Sequence, residues 1–209
     1  MARTRVKICG IGTLEDGLEA IDAGADALGF VFYAKSKRNI DIERCRAITS
    51  KLPPFIEKVG LFVDAEVTFV AQAVKEAGLS LLQFHGDETP EYCEQFSLPY
   101  IKAVRMKPGV DLHKIAQEFM SAQALLVDAY QPGIPGGTGQ TFNWDVLPSA
   151  LAKPIILAGG LTPQNVEQAI TQVHPYAVDV SGGVESAPGS KSADLISKFM
   201  QGVFRSDAR

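Results

Sequence analysis

Several residues of this sequence are of types that carry proton-transfer chemistry on an anionic substrate. Cys9 ends the apolar run Val6-Lys7-Ile8 and stands just before Gly10. Asp128 ends the run Leu125-Leu126-Val127. A thiolate can remove a proton from carbon, and a free thiol titrates near ~8.5, so a few per cent is ionised at neutral pH before any tuning. Lys7 shares the strand parity of Cys9 and points to the same face, where its charge would raise that fraction. Inert packing is the other reading of Cys9, since cysteine is among the most buried residue types. A carboxylate placed directly after three apolar residues costs free energy unless it has a partner or a task. Asp128 is read as a general acid held protonated by apolar neighbours, with a cap or loop anchor as the plainer reading.

An anion site is written more openly. Pro154-Ile155-Ile156-Leu157-Ala158 ends in Gly159-Gly160, and Ala177-Val178-Asp179-Val180-Ser181 ends in Gly182-Gly183. One helix of about three turns fits between the two runs, which makes them parallel strands of a βαβ unit with both glycine pairs on one sheet edge. Glycines there let backbone N–H groups surround an anion such as phosphate. Arg38, in the basic loop after Phe32-Tyr33, can grip a carboxylate with two hydrogen bonds, or the loop with Lys35 and Lys37 is simply solvated. His85 is the only histidine at a strand end. Gly136-Gly137-Thr138-Gly139 lies in the longest loop and reads as a cover over a ligand or as a flexible turn.

These groups must be positioned by an alternating scaffold. Strand and helix signals follow one another through the 209 residues with no linker or low-complexity segment, and about eight strands can be counted. Thr13, Asp41, Asp64 and Thr89 are placed to cap helices, Thr13 with Asp16 as its box partner and Thr89 with Pro90 behind it. Leu14, Leu18 and Ile21 share a face of the first helix, Tyr92, Cys93 and Phe96 lie on the fourth, and Leu195, Ile196, Phe199, Met200 and Val203 line the last. Continuous apolar strands with helices between them predict an α/β fold with a covered parallel sheet. Eight such units predict a (βα)8 TIM barrel, a single compact catalytic domain over residues 1–209, with its active site at the C-terminal strand ends. The competing open doubly wound sheet lacks the GxGxxG that would follow its first strand, and the glycine pairs fall at strands seven and eight, where barrels hold phosphate.

Composition narrows the class. Net charge is −4, so a general nucleic-acid surface is not expected. No apolar run is long enough to cross a bilayer, the longest being Ala27 to Tyr33. Three cysteines without CxxC spacing and no signal peptide point to the cytoplasm. Scattered histidines predict no metal, and Gly-x-Ser-x-Gly is absent.

Taken in order, Val6-Lys7-Ile8-Cys9-Gly10, Phe32-Tyr33 with Lys35-Ser36-Lys37-Arg38, Gln83-Phe84-His85-Gly86, Leu126-Val127-Asp128, Gly136-Gly137-Thr138-Gly139, Leu157-Ala158-Gly159-Gly160-Leu161 and Val178-Asp179-Val180-Ser181-Gly182-Gly183-Val184-Glu185 resemble the phosphoribosylanthranilate isomerase family. The blocks span nearly the whole chain, and together they are specific. The resemblance implies a (βα)8 barrel that carries out a step of tryptophan biosynthesis, the Amadori rearrangement of N-(5-phosphoribosyl)anthranilate. It implies Cys9 as general base, Asp128 as general acid, Arg38 on the anthranilate carboxylate, and Gly159, Gly160, Ser181, Gly182 and Gly183 on the phosphate. His85, Gly137, Thr138 and Asp179 are expected around the substrate. No metal or organic cofactor is implied, and the partner is a small-molecule phosphosugar, with the protein a monomer or small homo-oligomer. Lys37 stands where that family often has Pro, Gly182 where it often has Ser, and Phe84 where Leu is usual. Two other readings stay in view: a phosphosugar aldolase with a Schiff base on Lys7 or Lys102, and a non-catalytic phosphosugar-binding module.

Overall fold

The computed structural model describes residues 3–129 and 143–208. In chain order it contains β1 (Arg5–Cys9), α1 (Leu14–Asp22), β2 (Ala27–Phe32), α2 (Ile42–Thr49), β3 (Glu57–Phe62), α3 (Val67–Glu76), β4 (Leu81–Phe84), α4 (Pro90–Cys93), β5 (Tyr100–Met106), α5 (Leu112–Glu118), β6 (Leu125–Ala129), β7 (Ile155–Leu157), α6 (Val166–Val173), β8 (Ala177–Val180), β9 (Glu185–Ala187), β10 (Ser190–Lys191) and α7 (Ala193–Asp207). Each of the first seven strands pairs in parallel with the next, and β8 pairs with β1, Lys7 opposite Asp179, so the sheet is a closed barrel. Closure leaves no open edge.

Side chains alternate across each strand. Ile8, Leu28, Phe30, Phe62, Leu82, Phe84, Leu125, Val127 and Leu157 join the layer between barrel and helices, with Ile196, Phe199 and Met200 of α7. Ile101, Ala103, Leu126, Ile156, Ala158 and Ala177 form a separate apolar plug. Phe84 has ring neighbours Tyr92, Phe96 and Tyr100 at 5.6, 5.7 and 5.7 Å. Among the described residues no helix is long and apolar enough to cross a membrane.

The helix starts follow their capping residues. Thr13, Asp41, Thr89 and Ser192 each accept a hydrogen bond from the N–H three residues on. Several expectations need correction. Asp64 does not cap α3, which begins at Val67 behind Glu66 without a side-chain cap. Asp64 has φ 46° and its carboxylate accepts from Asp87 N–H at 2.7 Å, tying two neighbouring loops. On α1 the buried residues are Gly17 and Ala20, and Leu18 is exposed; a Cβ at Gly17 would already touch Leu28 and Leu52 at 3.4 and 3.5 Å. α4 is a single turn that ends before Phe96. α6 spans eight residues, just over two turns rather than three: Thr162 to Asn165 form a turn in which Asn165 Oδ1 accepts from Thr162 N–H. The β9–β10 hairpin was not foreseen.

Candidate active site

One cavity of about 570 Å³ opens at the C-terminal ends of the strands. It brings together Cys9, Arg38, His85, Asp128, Gly159, Gly160, Asp179, Ser181, Gly182 and Gly183, with Lys35 and Lys37 at its side. Gly137 and Thr138 lie outside the described residues. β1 carries the thiol and β6 the acid, and between them in the ring stand β7 and β8 with the glycine pairs.

The thiol side is built on charge. Lys7 Nζ donates to Asp179 Oδ1 at 2.7 Å, and both side chains are almost wholly buried. Burial alone would lower Lys7, but Asp179 and the adjacent Cys9 outweigh it and the ammonium is held above its ordinary range. Burial also pushes the Cys9 thiol up, and Lys7 opposes this without reversing it. Lys7 acts in the direction its position suggested, but desolvation outweighs it. Space for the pair comes from Gly29, where a Cβ would lie 2.7 Å from Cys9 Sγ and 3.1 Å from Lys7 Cε. Cys45 and Cys93 sit in the helix layer and burial pushes both up to about 12. Of the three thiols, Cys9 is the one that lines the cavity.

The acid side is built on hydrogen-bond direction. Asp128 was expected among apolar neighbours, yet His85 Nε2 lies 3.2 Å from its Oδ2, and Gln83 Nε2 lies 3.0 Å from His85 Nδ1. Parity explains the contact, since His85, just past the end of β4, is two residues beyond Gln83. Gly159 has φ 81°, and a Cβ there would approach Ala129 N to 2.3 Å and Asp128 Oδ1 to 2.7 Å. Glycine is needed at this position for its backbone conformation and for the room it leaves the acid. Gly183 is required by contact alone, because a Cβ would lie 1.9 Å from Leu161 O. Ser181 Oγ is buried and meets no hydrogen-bond partner among the described residues.

Arg38 is not the free clamp that its loop position suggested. Its Nε and Nη2 donate to the two carboxylate oxygens of Glu185 at 2.7 and 2.8 Å. Lys191 Nζ donates to the same carboxylate at 2.8 Å and to Ser181 O at 3.2 Å. Burial would raise Glu185, but Arg38 and Lys191 hold it down at about 2. The guanidinium rests against Gly182, where a Cβ would meet Nη2 at 3.1 Å. Arg38 thus links the loop after β2 to the glycine-bearing loop after β8.

Sequence reasoning missed Gln83, Glu185 and Lys191. A signal existed for Gln83, an amide inside an otherwise apolar strand two residues before His85. Neither lysine proposed for a Schiff base suits one. Lys102 Nζ donates to Glu88 Oε2 at 2.6 Å and to Gly86 O at 2.8 Å and does not line the cavity. Lys7 is held as an ammonium, whereas imine formation needs the free amine.

Known proteins match this sequence and fold. The family model described as N-(5'phosphoribosyl)anthranilate (PRA) isomerase matches residues 6–202. An N-(5'-phosphoribosyl)anthranilate isomerase of Pseudomonas putida is 55% identical over 203 residues, 97% of this chain and 98% of the relative. The crystal structure of phosphoribosyl anthranilate isomerase from Thermotoga maritima superposes with a TM-score of 0.89 at 41% identity, covering 97% of this chain and 99% of that one. Another structure of such an enzyme, in complex with reduced 1-(o-carboxyphenylamino)-1-deoxyribulose 5-phosphate, has a TM-score of 0.85 at 39% identity and the same coverage. By sequence along almost its whole length and by the closed barrel it forms, this chain belongs to the phosphoribosylanthranilate isomerase family.

Proposed function

We propose that the cavity converts N-(5-phosphoribosyl)anthranilate to 1-(2-carboxyphenylamino)-1-deoxyribulose 5-phosphate, an Amadori rearrangement in tryptophan biosynthesis, with residues 1–209 acting as one catalytic domain. The observation that carries this reading is the sharing of one cavity by Cys9 and Asp128, with the glycine ends of β7 and β8 between them. The family relative crystallised with a reduced product supports the same ligand class, a small phosphosugar.

Asp128 gives a proton to the ribose ring oxygen as the C1′–O bond breaks, which leaves a protonated imine. That cation acidifies the C2′ proton, and the Cys9 thiolate removes it. The enolamine then gains a proton at C1′ and loses one from O2′ to give the ketone, so no atom is gained or lost overall. Gly159, Gly160, Gly182 and Gly183 hold the phosphate through backbone N–H groups, and the unpartnered Ser181 hydroxyl adds a donor. Arg38 holds the anthranilate carboxylate from the opposite loop, kept in place by Glu185. Asp179 acts through Lys7, as the anchor of the ammonium beneath the thiol. With both ends gripped, remote binding energy aligns the reacting carbons between acid and base. The cytoplasm is the proposed location. The Thermotoga maritima relative is described as dimeric, and a monomer or small homo-oligomer is proposed here, to be read by light scattering.

Purified protein given freshly made phosphoribosylanthranilate should consume it and form the ketose. A protein that binds the reduced product yet shows no turnover is a binding module, and a covalent adduct trapped by borohydride returns the case to an aldolase.

A further inference from the structure

The acid side contains more machinery than a lone carboxylate needs. Gln83 is wholly buried, and its amide nitrogen faces His85 Nδ1 while its Oε1 meets no partner among the described residues. A buried acceptor without a partner costs roughly 1–3 kcal/mol, so an apolar side chain would be the more stable choice here. The His85 backbone is fixed as well. Its N–H donates to Phe62 O at 2.8 Å, and its carbonyl accepts from Arg105 Nη2 at 2.8 Å. The ring then meets Asp128 at Oδ2. The other carboxylate oxygen, Oδ1, faces the space left by Gly159.

We infer that Gln83 and His85 are positioning residues for Asp128: the Gln83 amide N–H occupies His85 Nδ1, which places the imidazole proton on Nε2, aims it at Oδ2, and leaves Oδ1 as the oxygen that protonates the substrate. This rests on the acid role of Asp128 proposed above. When Oδ1–H passes its proton to the ring oxygen and the C1′–O bond breaks, negative charge appears on the carboxylate. Oδ2 already accepts a hydrogen bond from Nε2–H, so that charge forms against a donor in place. The imidazole stays neutral and no proton crosses it. With the amide turned over, Oε1 would accept from Nδ1–H, and bare Nε2 would draw the acid's proton onto Oδ2, away from the substrate.

The chain has three histidines, His85, His113 and His174, so nitrogen-15 spectra can resolve each imidazole. The signal of His85, assigned by its loss in His85→Asn, should be that of the neutral Nε2–H form. In Gln83→Leu it should become a mixture of both neutral forms, with kcat lower by roughly ten- to a hundred-fold, KM within about two-fold, and Tm unchanged or raised. Gln83→Met, unbranched and similar in length, repeats the test if leucine disturbs the fold. An Nδ1–H imidazole in the unmodified protein, or Gln83→Leu with unchanged kcat, overturns the inference. A protein inert toward phosphoribosylanthranilate fails the activity reading alone, since the imidazole form is read in the same sample and decides the orientation of His85 by itself.

Discussion

The two sides of the cavity solve opposite problems. On the β1–β8 side, the base stands beside a buried ion pair, Lys7 with Asp179, and its readiness is set by the local field. On the β4–β6 side, the acid is held by a chain of hydrogen-bonding side chains, Gln83 and His85, and its readiness is set by direction. Both sides depend on a missing Cβ, at Gly29 for the thiol and at Gly159 for the carboxylic acid. A thiol has a single atom that can lose a proton, so what needs control is whether it ionises. A carboxylic acid has two oxygens, so what needs control is which one holds the proton. Charge suits the first task and hydrogen-bond direction the second.

The largest effect should come from removing either reacting group. Cys9→Ala and Asp128→Asn should each keep the fold and lower kcat by roughly 10²–10⁴-fold; near-normal turnover in either one removes that group from the chemistry. Next come the glycines. Gly159→Ala sets a Cβ against both Ala129 N and Asp128 Oδ1 and should cost about 100-fold in kcat together with phosphate affinity. Gly29→Ala pushes only on the base side, so its loss should fall on kcat with little change in KM. Equal behaviour of the two variants would dissolve the distinction between the sides.

Lys7→Met sharpens the contrast on the base side. It leaves Asp179 buried without a partner, which should cost roughly 3–5 kcal/mol in urea unfolding. Alkylation of Cys9 by iodoacetamide follows the thiolate, so its rate should rise with pH. Its midpoint in the unmodified protein should lie above the range of an ordinary free thiol. In Lys7→Met the midpoint should move higher still, and a midpoint that stays put would show that the ammonium does not act on the sulfur.

Smallest are the effects at the arginine. Glu185→Gln loosens Arg38 without removing it and should raise KM a few-fold, about as for other singly weakened ionic contacts. Glu185 has an ordinary value of 4.5 and is held at about 2 in the folded protein. Its ionised form therefore stabilises the fold above pH 4.5, and that contribution fades as pH falls towards 2. The stability gap between the parent protein and Glu185→Gln should narrow on acidification in urea melts. A gap that widens would contradict the depressed value.

What could be read in advance divides along the same physical line. Strand order, barrel closure and the strand-end positions of Cys9, His85, Asp128 and the glycine pairs follow from alternation and punctuation, which are local. Lys7 and Cys9 on one face follow from parity, also local. The partners of these groups are not local: Asp179 lies 172 residues beyond Lys7 and Glu185 lies 147 beyond Arg38. Their pairing depends on the barrel's register, which sequence spacing does not encode. The net position of the thiol's equilibrium could not be read for a related reason. The charge beside it was visible in the sequence, but the depth of its burial was not.

Closing the ring through β1 and β8 also sets an order of events during synthesis. The acid side draws on strands between residues 81 and 157, all translated before the segment that supplies Asp179. The base side joins the first strand made to the last barrel strand made. A nascent chain emerging from the ribosome can therefore arrange its acid early, but its thiol meets the lysine's counter-ion only when β8 docks. A chain stopped between Asp128 and that strand carries both reacting groups but leaves Lys7 without Asp179, so the base side is complete only in molecules that reach β8.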